Sequence, residues 1–304
     1  MNAKQRGVAI ILAMGVVALA ALAAAAIMVS QSTWSRHSEL ASDHVQARLL
    51  VQAGVDWSRA VLSDDRRASS IDHLGEPWAL RLPPVPVDNG VFTGYIEDQQ
   101  GAFNLNNLVR DGKVDVAQLA SFRRLLALLD LPATLADTLA DWIDTDQQPQ
   151  AQEGAEDGYY LSLPTPYLAA NRPLLDVAEL ALVRGFDEKV RARLRPFVTA
   201  LPRVTAVNVN TAKPEVLSAT IAGLDLDAAR ALVAQRERAY FRDRADFLDR
   251  LPGGIVAVDN YISVSSDYFM ATIRVTYGSA AARGTALLAR ETPGWPVIVW
   301  RKFL

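Results

Sequence analysis

The N-terminal part of the chain combines an uncharged apolar run with a helical repeat that continues beyond it. Residues Val8 to Val29 contain no charged side chain, and the next charged residue is Arg36. An uncharged run longer than about 18 residues can cross a bilayer as one helix. Apolar side chains then recur at helical spacing through Val61, so the pattern predicts one helix from about Val8 to about Leu62. A separate anchor followed by a separate globular helix fits the same periodicity.

Two basic residues, Lys4 and Arg6, precede the apolar run and none follows it closely. This asymmetry predicts a single-pass protein with a cytoplasmic N-terminus and its main domain across the membrane. Three interpretations of the segment remain open. They are a secretory signal cleaved after small residues such as Ala23 or Ala26, an uncleaved anchor, and a leader resembling that of type IV prepilins, cut between Gly7 and Val8.

In the remainder of the chain, the spacing of hydrophobic residues changes twice, from a strand pattern to a helical pattern and back. A Pro-rich stretch from Leu74 to Gly90 predicts a loop, and Val91 to Glu97 predicts a strand. From about Leu108 to Leu251 the pattern indicates short helices broken by Pro and Gly. Alternation over Tyr268 to Tyr277 then predicts a strand, and Thr285 to Arg290 and Val297 to Trp300 predict two more.

These periods predict an α+β fold, with a long N-terminal helix packed on a small antiparallel sheet and a large all-α domain inserted between strands. We expect a leader at 1–7, a transmembrane helix at 8–30, an αβ domain at 31–107 and 260–304, and the insert at 108–259. Three tight apolar turns within the insert, near residues 129–140, 185–194 and 223–232, are typical of helix–hairpin–helix units.

Composition narrows the function classes. The chain has 304 residues, a net charge of −3 and no cysteine, so disulfide and thiolate chemistry are excluded. Its three histidines form no metal-binding motif, and the common hydrolase, phosphate-loop and metalloprotease motifs are absent. We therefore predict that the protein is not an enzyme.

An acidic loop is the best candidate site. Oxygen ligands on a flexible loop suit a hard cation such as Ca²⁺. The loop is not an EF-hand, because the sixth position from Asp144 is Pro149 and the twelfth is Ala155. The residues alone leave a solvated acidic loop and a metal site both open. The candidate ligands are Asp144, Asp146, Glu153, Glu156, Asp157 and, more distantly, Asn171.

The segment from Asn208 to Leu251 resembles the helix–hairpin–helix of DNA-binding competence proteins. A DNA-binding hairpin needs a second glycine so that backbone N–H groups reach a phosphate. Here the hairpin is Gly223-Leu224-Asp225, and seven basic residues are balanced by seven acidic ones. Protein packing is therefore the favoured role of this segment. A membrane-anchored nucleic-acid binder of a DNA-uptake machine stays open as the alternative function of the chain. A secreted calcium-binding protein is the third possibility.

Several motifs occur along the chain in a characteristic order and spacing. They are Arg6-Gly7 before the helix, Glu97-Asp98-Gln99-Gln100-Gly101-Ala102-Phe103-Asn104-Leu105-Asn106, Asp141-Trp142-Ile143-Asp144-Thr145-Asp146, Gly154-Ala155-Glu156-Asp157, Tyr159-Tyr160 and Asn208-Val209-Asn210-Thr211-Ala212. In these motifs, and over nearly its whole length, the chain resembles the K-class minor pseudopilins of type II secretion systems, also called general secretion pathway protein K.

The resemblance implies a subunit at the tip of a periplasmic pseudopilus, anchored in the bacterial inner membrane. It implies that the I- and J-class minor pseudopilins and other pseudopilus subunits are partners and that no nucleic acid is bound. It also implies that a prepilin peptidase cleaves between Gly7 and Val8, with methylation of the new N-terminus. Structural calcium in the acidic loop is a further expectation from the family.

One residue departs from the general pilin pattern. Most pilin-like subunits carry a Glu at the fifth position after cleavage, thought to pair with the N-terminal amine of the subunit above, whereas this chain has Leu12. A carboxylate in lipid is costly without a partner charge. The absence of Glu is therefore consistent with a subunit that has none above it, and equally with a protein that never polymerises.

Overall fold

The computed structural model describes residues 3–150, 153–255, 257, 259–290 and 294–303. Its first element is a single helix, α1 (Ala3–Ala68). The large apolar side chains of α1 between Ile10 and Val29 are exposed, and in the described chain this is the one helix long and apolar enough to cross a membrane. The predicted continuous helix is confirmed.

The strands form one principal sheet and three two-stranded pairs among the described residues. The principal sheet has the order β1-β2-β9-β10-β11, and all of its neighbours are antiparallel. The strands are β1 (Val85–Val87), β2 (Gly90–Asp98), β3 (Phe103–Asn104), β4 (Val109–Arg110), β5 (Lys113–Val114), β6 (Val198–Thr199), β7 (Val207–Asn208), β8 (Ile262–Ser263), β9 (Tyr268–Tyr277), β10 (Ala280–Ala289) and β11 (Val297–Phe303).

The predicted strands of the principal sheet are confirmed, but their bounds differ: β2 is one residue longer at each end, and β11 continues to Phe303. The prediction for β10 began at Thr285, but the strand starts at Ala280 because the hairpin pairs Ala280 directly with Tyr277. The predicted loop from Leu74 to Gly90 contains the short strand β1, which lies at the edge of the sheet. Pro86 is tolerated there because an edge strand has one side on which no N–H is required.

The helical part of the fold lies in sequence between β2 and β9. It has its own hydrophobic core, built around Phe103, Phe122, Trp142 and Tyr160. Its helices are α2 (Val116–Leu128), α3 (Leu135–Ile143), α4 (Asp157–Leu161), α5 (Glu188–Leu194), α6 (Pro214–Thr220), α7 (Leu226–Arg238) and α8 (Arg244–Asp249). The predicted α+β class, with a long helix on an antiparallel sheet and a group of helices, is confirmed.

A second core joins the C-terminal half of α1 to the sheet. Val51 and Val55 of α1 are buried against a sheet face that includes Ile273. The two elements approach closely at glycines. A Cβ on Gly54 would lie 2.6 Å from the Phe92 ring, and one on Gly284 would lie 2.4 Å from Val51.

A buried arginine ties the end of this helix to the sheet. The Arg290 guanidinium donates to Asp65 of α1 at 2.7 Å and to Asp72 at 2.5 Å, and it lies over the Phe269 ring. Burial raises the pKa of Asp65 to about 6. The pairing matters because a buried carboxylate without a partner charge is strongly destabilising.

We expect Arg290→Met to lower the free energy of unfolding by about 3–5 kcal/mol, because two buried carboxylates would lose their counter-charge. The control is Arg67→Met, which removes an exposed ion pair with Asp64 and should cost at most about 1 kcal/mol. Urea denaturation of the full chain in detergent, followed by circular dichroism, measures both. Equal midpoints for the two variants would contradict the structural role of Arg290.

Candidate metal centre

Three carboxylates converge at one end of α3. Asp144, Asp146 and Glu156 each place an oxygen within 4.8 Å of the others. Asp144 is the residue that ends α3, and Glu156 directly precedes α4. The loop between the two helices therefore folds back on itself and brings acidic side chains together.

The fold-back is held by a carboxylate that the sequence analysis did not include in the site. Asp141 is fully buried and accepts hydrogen bonds from the backbone N–H groups of Gln150 at 2.9 Å and Ala155 at 2.7 Å. A Cβ on Gly154 would lie 2.2 Å from Asp141 Oδ2, so the loop needs glycine there. The sequence feature that could have identified Asp141 is its spacing from Asp144. Residues three apart lie on the same face of a helix, and Asp141 precedes Asp144 by three.

Five buried oxygen atoms near this loop have no hydrogen-bond donor among the residues the structure describes. They are both carboxylate oxygens of Asp144, both of Glu156, and Oδ1 of Asn171. The backbone N–H of Asn171 donates to the Trp142 carbonyl at 3.0 Å, two residues from Asp144. Buried acceptors are almost always satisfied in folded proteins, so this set needs an external partner.

The electrostatics point to a positively charged partner. The pKa of Asp144 is raised to about 7 and that of Glu156 to about 8. Burial is the larger cause of both shifts, and the charges of neighbouring carboxylates are the second. Burial also raises the pKa of Asp141. The ionised forms are therefore disfavoured at neutral pH unless a cation offsets their charge.

The donor set fits a hard divalent cation. Every candidate ligand atom is oxygen, which suits Ca²⁺ or Mg²⁺ and not the softer metals that prefer thiolate or imidazole. Asp144, Asp146 and Glu156 would hold the ion, and the unpaired Oδ1 of Asn171 is the further candidate. Such an ion would neutralise the loop and fix the junction between α3 and α4.

Two predicted ligands lie apart from this group. Glu153 is exposed and pairs with Arg184 at 3.5 Å, and the Arg184 guanidinium lies over the Tyr159 ring. Asp157 accepts from the backbone N–H of Ala169 at 2.9 Å. The structure does not bring Glu153 or Asp157 into the three-carboxylate group, and their ligand roles remain predictions.

The other predicted positions lie on helices. Gly7 and Val8 belong to α1, and Leu12 is exposed on it. In the hairpin before α7, Gly223 has φ +85° and Asp225 caps the helix by accepting from the Ala228 N–H at 2.7 Å. The Asp225 carboxylate thus occupies the helix N-terminus where a phosphate would have to bind.

Comparison with known proteins gives consistent matches along the chain. Family models described as type II secretion system (T2SS), protein K, match residues 101–203 and 207–265. Type II secretion system protein K of Pseudomonas aeruginosa is 38% identical over 97% of this chain and 91% of its own length. The Klebsiella pneumoniae protein of the same name is 32% identical over 96% of this chain and 94% of its own.

A solved structure has the same fold. One chain in the crystal structure of the GspK-GspI-GspJ complex from the enterotoxigenic Escherichia coli type 2 secretion system superposes with a TM-score of 0.76. The match covers 90% of this chain and 99% of that chain, at 27% identity.

The raised pKa values predict how the metal-free protein responds to pH. Asp144 and Glu156 have ordinary values of 3.8 and 4.5 and folded values of about 7 and 8. The folded state therefore binds more protons than the unfolded state in this window, and stability falls as pH rises from about 4 to about 8. In EDTA, we expect Asp144→Asn with Glu156→Gln to reduce this fall between pH 6 and 8, as measured by melting temperature.

The matched control is Asp64→Asn with Glu237→Gln, which removes two exposed carboxylates on α1 and α7, outside the three-carboxylate group. The control should keep the pH dependence of the parent. A double variant at the loop that melts in parallel with the parent across pH 6 to 8 would show that these two groups are not the source.

Proposed function

The chain belongs to the type II secretion system protein K family, and we propose that it is the minor pseudopilin that caps the tip of the secretion pseudopilus. In this role it organises assembly of the fibre with other minor pseudopilins and supports protein export. Its work is mechanical and structural, and we propose no catalytic step.

The observation that carries this proposal is the position of the helical part relative to the apolar half of α1. The β9–β10 hairpin lies at the end of the sheet nearer that apolar half, where Asp43 of α1 accepts from the Ser279 N–H at 2.9 Å. Arg290 contacts Asp65, which lies 22 residues farther along α1, or about 33 Å. The helical part joins the sheet at this distal end, between the end of β2 and the start of β9.

The distal junction is built as a polar anchor. Asp98, at the end of β2, accepts from Thr211 at 2.5 Å, Ser266 at 2.7 Å and Asn208 at 3.0 Å. These contacts fix the helical part at the end of the sheet distant from the apolar half of α1, which is the end that we propose points away from the rest of the fibre. A bulky unit in that place would sterically end the fibre.

Leu12 supports the same position in the fibre. The apolar half of α1 is exposed along its length and would lie among lipid or neighbouring helices. A carboxylate there would need a partner charge from a subunit above. A tip subunit has no such neighbour, and an apolar residue at this place removes the need for one.

The partners follow from the structural neighbour, whose complex contains GspI and GspJ. We propose that this chain assembles with the I- and J-class minor pseudopilins and other pseudopilus subunits. It would be a single-pass inner-membrane protein with a cytoplasmic N-terminus and a periplasmic main domain. A prepilin peptidase would release the mature chain at Val8.

Calcium is the ion we propose for the acidic loop. Asp144, Asp146 and Glu156 would supply carboxylate oxygens, and the ion would hold the loop between α3 and α4 in place. Its contribution would be structural, because it would offset the charges of the buried carboxylates and tie the end of α3 to the start of α4.

The N-terminus provides a direct test of the pseudopilin class. We expect the intact mass of the protein from membranes to correspond to a chain beginning at Val8 when prepilin peptidase is present, and to the full chain when it is absent. The leader glycine is tested by Gly7→Arg, which should block processing. A mature chain beginning after Ala23 or Ala26 would contradict the proposal.

If calcium binds the loop, Asp144→Asn should change the melting temperature in opposite directions with and without calcium. In saturating calcium, Asp144→Asn should lower the melting temperature, because a ligand is lost. In EDTA at pH 8, the same substitution should raise it, because an unpaired buried charge is removed. Asp130→Asn, at an exposed position, is the control and should shift both conditions equally. A lower melting temperature for Asp144→Asn in both conditions would contradict an ion at this loop.

A further inference from the structure

A large cavity lies on the sheet face opposite α1. Its volume is about 1020 Å³, and its walls come from the sheet and from the region around α5. A second cavity of about 290 Å³ continues it, and the two share Arg81, Tyr95 and Thr272. Cavities of roughly 300–1,000 Å³ accommodate a drug-sized ligand, so this combined groove suits a short polypeptide segment better than a small ion.

Two buried donors line the larger cavity without an acceptor in the described part of the chain. They are Nε of Arg283 on β10 and Nε1 of Trp300 on β11. A buried N–H without an acceptor costs free energy, and both groups would be satisfied by a ligand that offers oxygen atoms.

A like-charge pair adds to this requirement. Arg274 of β9 lies directly opposite Arg283 of β10 in the antiparallel register, so both side chains are on the same face. The neighbouring Val275 is buried against α1, which places the arginines on the cavity side. Within the described ranges neither arginine has a carboxylate partner, and an anion between them would offset their repulsion.

Three of the four acidic residues that line the cavity are engaged within this chain, and the fourth is Glu188. Glu97 pairs with Arg81 at 3.2 Å, and Asp176 pairs with Lys302. Asp98 accepts three side-chain hydrogen bonds at the distal junction. The basic surface that remains free of carboxylates therefore includes Arg283, although the whole chain is net negative.

A lipid headgroup is too distant to be the source of the anion. The apolar run ends at Val29. Val51 lies 22 residues farther along α1 and packs against Gly284, the residue next to Arg283, so Val51 marks the height of Arg283 along the helix. At 1.5 Å per residue this is about 33 Å above the membrane surface. The ligand must therefore be carried by a molecule outside the bilayer.

We propose that this groove binds an extended acidic segment of a separate polypeptide. Arg274 and Arg283 would receive its carboxylates, since arginine binds carboxylates in a bidentate manner. The Trp300 N–H would donate to a carbonyl or carboxylate oxygen of the same segment. The inference does not depend on the tip position in the fibre, because it concerns the isolated chain.

The experiment uses the full chain in detergent micelles and a fluorescein-labelled deca-glutamate peptide, followed by fluorescence anisotropy. The parent should bind deca-glutamate and not deca-glutamine. Arg274→Gln with Arg283→Gln should weaken binding about tenfold or more, since losing a charge-assisted hydrogen bond commonly costs 1.5–3 kcal/mol. Arg274→Lys with Arg283→Lys should retain part of the affinity, and melting temperatures show that each variant is folded.

The matched control is Arg67→Gln with Arg230→Gln, which alters net charge equally at two exposed ion pairs away from the groove. It should bind within about twofold of the parent. An equal loss in the control would mean that net charge alone attracts the peptide, and would overturn the proposal.

Discussion

The close packing of α1 on the sheet is the constraint on which the rest of the fold depends. Gly54 and Gly284 let the helix approach the strands, and larger residues there would collide with Phe92 and Val51. One helix can then lie in two environments. Its N-terminal half is apolar and exposed, and its C-terminal half is partly buried against the sheet. Everything attached to the sheet acquires a fixed distance from the apolar half of α1 through this contact.

Two clusters of buried carboxylates show two solutions to the same electrostatic problem. At the end of α1, Asp65 and Asp72 share one cation supplied by the chain itself, the guanidinium of Arg290. At the end of α3, Asp144 and Glu156 have no such partner in the described residues, and a calcium ion is the partner that we propose for them. The first arrangement stabilises the core at any ion concentration. In the second, the stability of the helical part would depend on the concentration of the ion around the protein.

The sequence was sufficient where a period or a local rule decides the structure. The alternation over Tyr268–Tyr277 predicted the bounds of β9, and the helical repeat predicted one continuous α1. It was insufficient where the partner is distant or belongs to the backbone. The Arg290–Asp72 pair spans 218 residues, and the partners of Asp141 are loop N–H groups, so neither role has a signature in a single sequence. Glu153 was grouped by proximity in sequence, yet its side chain pairs with Arg184.

We propose that the helical part, fixed at the end of the sheet distant from the apolar half of α1, ends the fibre. Immunogold electron microscopy of isolated pseudopili, with an antibody raised against residues 116–249, tests it most directly. The account predicts label at a single end of each fibre, because only one subunit has no neighbour above it. Label spaced along the length of the fibre would contradict the account, since the helical part would then be compatible with stacking.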